Sequence, residues 1–128
     1  FFFHVSYFVS KKQFAVLYMN LLYNIGHYFL DTVLRFNFRG IGRSQGEYDQ
    51  GIGELSDAAS ALDYLQSMNN NSKHCWVAGF SFGAWIGMQL LMRRPEITGF
   101  ISVSPPANMY DFSFLAHPTS VLYQKSLR

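Results

Sequence analysis

The sequence is poor in charge and has a single cysteine, and both scarcities narrow the class of protein. Only 14% of its 128 residues are charged and 49% are apolar, against a charged share of about 25% in typical soluble domains. This composition excludes a disordered or fibrous chain, because burial of so much apolar surface offsets the entropy lost on ordering. Cys75 has no second cysteine to pair with. An internal disulfide is therefore excluded, and a reducing, cytoplasmic setting is expected.

Strong net charge and a full-length apolar span are also missing. The net charge of +2 is too low to predict nucleic acid or an acidic membrane surface as a partner. The largely apolar stretch of residues 14–30 falls short of the roughly 20 residues of a membrane span, and it contains Asn20, Asn24 and His27. It predicts one buried or half-buried helix. The alternative is that the aromatic first 30 residues tether the chain to a membrane or a partner.

The motifs that hold common cofactors are absent as well. The glycines at 40, 42 and 46 miss the spacing of a dinucleotide-binding loop by one residue, and a polar loop follows them where a helix is required. No phosphate-binding G-x-x-x-x-G-K-[ST] segment is present. The four histidines and Cys75 lack metal-ligand spacing. The sequence therefore predicts neither a cofactor nor a metal site.

What the sequence does contain is an alternation of strand and helix patterns. Runs of β-branched and aromatic residues predict strands, and apolar residues at helical spacing predict helices. The predicted strands are 32–38, 75–79 and 100–103, and the predicted helices are 54–68 and 84–92. Strands that alternate with single helices indicate an α/β fold, with a parallel sheet and helices on both faces. We expect strand 75–79 to lie between the other two.

The outer edge of the strand at 100–103 is expected to be bare. Its N–H and C=O groups would then have no neighbouring strand to pair with, and an unpaired edge favours association. The chain is therefore expected to self-associate through that edge.

Residues 79–83 read G-F-S-F-G and form the one motif that carries chemistry. A G-x-S-x-G segment between a strand and a helix places its serine on a strained turn with the hydroxyl exposed at the carboxyl edge of the sheet. The run before Ser81 predicts a strand and the run after it predicts a helix. The backbone N–H of Phe82 would lie at the positive end of that helix, where an oxyanion can be stabilised. The alternative is a glycine- and serine-rich turn without chemistry.

Three segments resemble the α/β-hydrolase superfamily, and most of all its small bacterial predicted hydrolases. They are residues 35–49, 53–66 and 76–91. The first contains an R-G-x-G-x-S loop formed by Arg39, Gly40, Gly42 and Ser44, which precedes the helix leading to the G-x-S-x-G strand, as it does in that superfamily. The resemblance covers about residues 32–118 and implies a partial α/β-hydrolase fold. Residues 1–31 and 119–128 diverge from the family pattern.

The resemblance implies a serine hydrolase that acts on a small ester, thioester or amide, with Ser81 as the nucleophile. Family members carry the acid of the catalytic triad after a strand beyond the one at 100–103, and the histidine after a later strand. The chain departs from the family pattern near Ser120 and has no H-G-x-x-D-like segment. The alternative function is therefore a truncated, inactive remnant that keeps the serine without its acid and base.

Two residues inside the chain are candidates for the missing roles. His117 is the only histidine after Ser81 and is the candidate base, although a histidine in a surface loop without a role fits the position as well. Asp111 follows the strand at 100–103, where some α/β hydrolases place the acid. It can equally be an aspartate that stabilises a turn.

Overall fold

The computed structural model describes residues 2–6, 33–115 and 121–125, which form five strands and two helices. In chain order these are β1 (Phe2–Ser6), β2 (Val33–Asn37), α1 (Ile52–Met68), β3 (Trp76–Phe80), α2 (Phe82–Arg93), β4 (Gly99–Val103) and β5 (Val121–Lys125). Of these, β2, α1, β3, α2 and β4 match the sequence predictions to within two residues at each end.

The five strands form one parallel sheet in the order β2-β1-β3-β4-β5. The predicted α/β class is confirmed, and β3 lies between β2 and β4 as expected. The strand β1 separates β2 from β3, however, so β2 and β3 are not direct neighbours.

Two strands were not predicted, and both lie in segments interpreted as divergent. Within residues 1–31, β1 is an inner strand of the sheet, and within residues 119–128, β5 pairs with β4. The expectation of a bare β4 edge is therefore wrong, because β5 covers it. Self-association stays a prediction, and the edge available to it in the described sheet is that of β5 or β2. The helix predicted over residues 14–30 lies outside the described residues.

Both described helices pack on one face of the sheet. The core between them and the strands contains Phe38, Val77, Phe82 and Phe100 together with the apolar side of each helix. The opposite face of the sheet carries Trp76, Ala78 and Ile101. Since α2 follows β3 directly, this layering places the start of α2 at the carboxyl edge of the sheet. Among the residues that the structure describes, no helix is long and apolar enough to cross a membrane.

The loop between β2 and α1 is fixed to α1 by an ion pair. The guanidinium of Arg39 donates two hydrogen bonds to the Asp57 carboxylate, from Nε at 3.0 Å and from Nη2 at 2.8 Å. The backbone N–H of Arg39 donates a third hydrogen bond to the same carboxylate. Glu54, fully buried, accepts hydrogen bonds from the backbone N–H groups of Asp49 and Gly51 at the start of the helix. The R-G-x-G-x-S segment is thus held in place through the first turns of α1.

We expect the substitution Asp57→Asn to lower the free energy of unfolding by about 1 kcal/mol at pH 7. The hydrogen bond from Arg39 lowers the pKa of Asp57, so the stability that this carboxylate contributes is complete above its unfolded pKa of about 4. It is lost as the pH falls through the lower folded value. Denaturant unfolding at several pH values should show the difference between the two chains shrinking below about pH 4.

The matched control is Asp63→Asn on the same helix. The side chain of Asp63, paired with Arg94, is 62% exposed against 26% for Asp57, so its loss should cost less. If Asp57→Asn lowers the free energy of unfolding as much at pH 2 as at pH 7, the lost stability does not come from the ionised Asp57 carboxylate, and the prediction is wrong.

Candidate functional site

Ser81 is the single residue between β3 and α2, and its backbone is strained. Its φ of 53° and ψ of −120° lie in a region that residues with a side chain rarely adopt. Its N–H donates a hydrogen bond of 2.9 Å to the carbonyl of Val103 at the end of β4, and its own carbonyl accepts from the N–H of Ala84 at 2.9 Å. The turn is therefore fixed both to the neighbouring strand and to the first turn of α2. This is the local geometry that the motif predicts.

Gly79 allows the helix to start this close to the strand. A Cβ atom at this position would lie 2.4 Å from the carbonyl oxygen of Gly83 and 2.6 Å from the nitrogen of Ala84. These are backbone atoms of the first turn of α2, which cannot rotate out of the way as a side chain can. A glycine is consequently required two residues before Ser81.

Phe82 begins α2 and anchors it in the core. Its side chain is 1% exposed, and its ring contacts the rings of Phe38, Tyr48, Trp85 and Tyr110 at centroid distances between 5.6 and 6.0 Å. The N–H groups of a first helical turn carry the positive end of the helix dipole. The Phe82 N–H is the first of these, directly beside Ser81.

A second loop, residues 104–115, lies against the same end of α2. The Tyr110 ring stacks on Trp85 with centroids 4.4 Å apart, and the Trp85 indole N–H donates a hydrogen bond of 2.9 Å to the carbonyl of Asp111. The loops that follow β2 and β4 therefore meet the first turn of α2 through aromatic contacts.

Ser104 provides a contrast to Ser81 at the same edge of the sheet. It follows β4 as Ser81 follows β3, and it also has a left-handed backbone, with φ of 48°. Pro105 and Pro106 come next, and no helix begins there. Of these two serines, only Ser81 combines a strained turn with a helix N-terminus.

The candidate acid, Asp111, lies in this loop, where its carboxylate stabilises a turn. It accepts hydrogen bonds from the backbone N–H of Ser113 at 2.8 Å and from the Ser113 hydroxyl at 2.9 Å. These bonds lower the pKa of the exposed Asp111, the backbone N–H contributing most. The carboxylate is engaged with Ser113, as the turn interpretation expects, and its role as a triad acid stays a prediction.

Among the side chains that the structure describes, no histidine lies beside Ser81. The candidate base, His117, lies outside the described residues and stays a prediction. His74 is the only histidine between residues 34 and 115, and it precedes β3 whereas Ser81 follows it. At about 3.3 Å per residue, the five residues of this strand separate the two by more than 15 Å, which excludes His74 as the base.

Two other features, Cys75 and a groove between the helices, are excluded as the reactive site. Burial raises the pKa of the Cys75 thiol to about 12, so the thiolate needed for nucleophilic attack does not form near neutral pH. A groove of about 520 Å³ lies between α1 and α2 and is lined by Leu55, Trp85 and Arg93, among others, but Ser81 is not part of its lining. In the part of the chain that the structure describes, no group of three His, Cys, Asp or Glu residues could hold a metal ion.

Comparison with protein families identifies a family for most of the chain. Residues 32–124 match the sequence model of the family described as X-Pro dipeptidyl-peptidase (S15 family). The matched region runs from just before β2 to near the end of β5 and includes the whole Ser81 turn.

Three of the known proteins similar to this chain come from bacteria. An uncharacterised protein of Rickettsia prowazekii is 61% identical over 88 residues, which are 66% of this chain and 37% of that protein. A crystal structure of a protein of unknown function from Agrobacterium tumefaciens, described as a candidate α/β hydrolase, is 55% identical with a TM-score of 0.78, and the match covers 94% of this chain and 57% of that one. An α/β serine hydrolase without a lid from Xanthomonas campestris is 28% identical with a TM-score of 0.74, covering 96% and 57%. The chain thus spans less than two thirds of the length of these relatives.

Proposed function

Because the chain belongs to the X-Pro dipeptidyl-peptidase (S15) family, within the α/β-hydrolase superfamily, we propose that it is a serine hydrolase with Ser81 as its nucleophile. The substrate class is a small ester, thioester or amide, and the expected setting is cytoplasmic. The observation that carries the proposal is the backbone of Ser81, strained at φ 53° directly before the N-terminus of α2. Strain of this kind persists where the surrounding structure enforces it, and it is concentrated at active sites.

The reaction is acyl transfer to water in two steps. The Ser81 oxygen attacks the substrate carbonyl while its proton passes to a general base, and the carbonyl oxygen becomes an oxyanion that accepts a hydrogen bond from the Phe82 N–H. Collapse of this tetrahedral intermediate expels the alcohol, thiol or amine, which takes the proton from the base. Water, deprotonated by the same base, then attacks the acyl-serine ester and releases the acid, and the proton returns to Ser81.

The reaction also requires a base and an acid, and each has two alternative sources. His117 and Asp111 are the candidates within the chain, and the family resemblance instead implies an acid and a histidine on later strands. A serine hydroxyl without a base is a weak nucleophile at neutral pH. The competing function is therefore an inactive remnant, favoured by two observations: the Asp111 carboxylate is engaged with Ser113, and His74, the only histidine between residues 34 and 115, lies at the opposite end of β3 from Ser81.

Labelling by a fluorophosphonate probe, with and without added imidazole, tests the nucleophile separately from the base. Imidazole in solution can take the proton that a missing histidine would take, and a positioned base contributes about 10²–10⁴ to the rate. We expect imidazole to raise the labelling rate about tenfold or more if the chain has no base of its own. The variant Ser81→Ala should not be labelled under either condition.

The control variant is Ser104→Ala, which removes the serine at the equivalent position after β4 and should label as the parent chain does. Labelling without imidazole that is lost in His117→Ala would show that the chain carries its own base and would exclude the remnant. If the folded chain, checked by circular dichroism, is not labelled even with imidazole, Ser81 is not the nucleophile and the proposal fails.

A further inference from the structure

The described loops on either side of Ser81 present aromatic rings that meet at one point. Tyr48, in the loop after β2, and Tyr110, in the loop after β4, both contact the buried ring of Phe82, at 6.0 and 5.6 Å between centroids. Phe82 is the residue directly after Ser81. Both rings therefore pack on the residue next to Ser81.

These rings remain partly open to solvent although they border a buried cluster. Tyr48 is 51% exposed, and Tyr110 is partly exposed. Exposed apolar side chains that are grouped, and not scattered singly, mark binding surfaces. Tyrosine is well suited to this role, since its ring offers a large apolar area at a low cost in conformational entropy.

We propose that Tyr48 and Tyr110, here called the aromatic rim, bind the apolar part of the substrate. This inference rests on the proposed function and narrows its substrate class. The preferred substrates are uncharged esters or amides whose acyl or leaving group is aromatic or a long alkyl chain, and not small acetyl or strongly hydrated groups. Burial of such a group against the rim is favourable because it removes apolar surface from water.

The position of the rim supports this inference over a purely structural role. A tyrosine needed only to cover Phe82 would be expected to become buried itself, yet half of the Tyr48 side chain stays exposed. The rim also includes residues from two separate loops, after β2 and after β4, and open parallel sheets bind their ligands outside the carboxyl ends of their strands.

The test compares two fluorophosphonate probes with the same reactive group, one with a decyl linker and one with an oligo(ethylene glycol) linker. In the presence of imidazole, the decyl probe should label Ser81 about tenfold faster. The substitution Tyr48→Ala should reduce this ratio about fivefold, which corresponds to the loss of one aromatic contact of about 1 kcal/mol. The variant Tyr48→Phe keeps the ring and should keep the ratio.

The matched control is Tyr64→Ala, because Tyr64 on α1 is a tyrosine of similar exposure, 59%, outside the rim. A ratio near one in the parent chain, or an unchanged ratio in Tyr48→Ala, would overturn the inference while the proposed function stood. If neither probe labels the chain, the proposed function fails. A binding experiment that needs no reaction then tests the inference about the rim. Saturation-transfer NMR should then show that 3-phenylpropanamide binds better than propanamide, with the difference lost in Tyr48→Ala, and equal binding of the two amides would overturn the inference.

Discussion

The substitution Gly79→Ala is expected to lower the free energy of unfolding by about 3 kcal/mol and to disrupt the Ser81 turn. Overpacking usually costs about 1–3 kcal/mol, and the upper end applies here because the added methyl group meets backbone. It would lie 2.4 Å from the carbonyl oxygen of Gly83, and relief would require the whole first turn of α2 to move off the sheet. Denaturant unfolding followed by circular dichroism measures the loss.

The control for this prediction is Gly42→Ala in the loop after β2. Gly42 has a φ of +59°, so alanine is strained there as well, but its added methyl group would meet only the end of the Asn37 side chain, at 2.8 Å. That side chain can rotate away, and the cost should stay near the 1–2 kcal/mol of the left-handed backbone itself. If Gly79→Ala and Gly42→Ala lower the free energy of unfolding equally, α2 lies less close to β3 than the structure describes.

The substitution Phe82→Ala is expected to cost about 3–5 kcal/mol, as is usual when a buried phenylalanine is truncated. Four aromatic rings pack around this side chain, and they come from different segments of the chain, so the cavity cannot close by a small local shift. Thermal or denaturant unfolding of the variant measures the effect. The backbone N–H of residue 82 is retained, so any change in reactivity of Ser81 reports the position of the helix.

Phe114→Ala is a suitable comparison, since Phe114 is half-buried and stacks on Phe112 with centroids 6.0 Å apart. Its loss should cost clearly less than that of Phe82. A Phe82→Ala chain as stable as the Phe114→Ala chain would contradict the packing of α2 against the core.

The features that could be predicted from the sequence are those with a local cause. The helix that follows Ser81 is indicated by apolar spacing, and the turn itself by small residues on both sides of one serine. The strands β2, β3 and β4 are flanked by glycine, proline or polar breakers, which define their ends. Neighbouring residues determine each of these features, so each can be predicted from the local sequence.

The missed strands, β1 and β5, have no such local definition. Each is five residues long, and a short apolar run is compatible with strand, helix or loop until it pairs. The strand β1 is an inner strand only because its backbone pairs with β2 and β3, which lie far along the chain. Tertiary pairing thus decides its structure.

Contacts between side chains from distant parts of the chain could not be predicted either. A carboxylate near the start of a helix predicts an interaction with the helix dipole, and nothing in the sequence indicates that Asp57 pairs with Arg39, 18 residues earlier. The aromatic rim was missed for this reason too, because Tyr48 and Tyr110 meet only through Phe82. The serine itself was found from its motif, whereas the residues around it are brought together by the fold.

The most direct test of the central claim is to trap the acyl-enzyme that Ser81 should form. The folded chain is treated with 4-nitrophenyl acetate in the presence of imidazole and quenched in acid, and the acetylated peptides are mapped by mass spectrometry. The account predicts an acetyl group on Ser81, present in Ser104→Ala and absent in Ser81→Ala. Acetylation confined to lysine or tyrosine side chains, and the same in Ser81→Ala as in the parent chain, would contradict it.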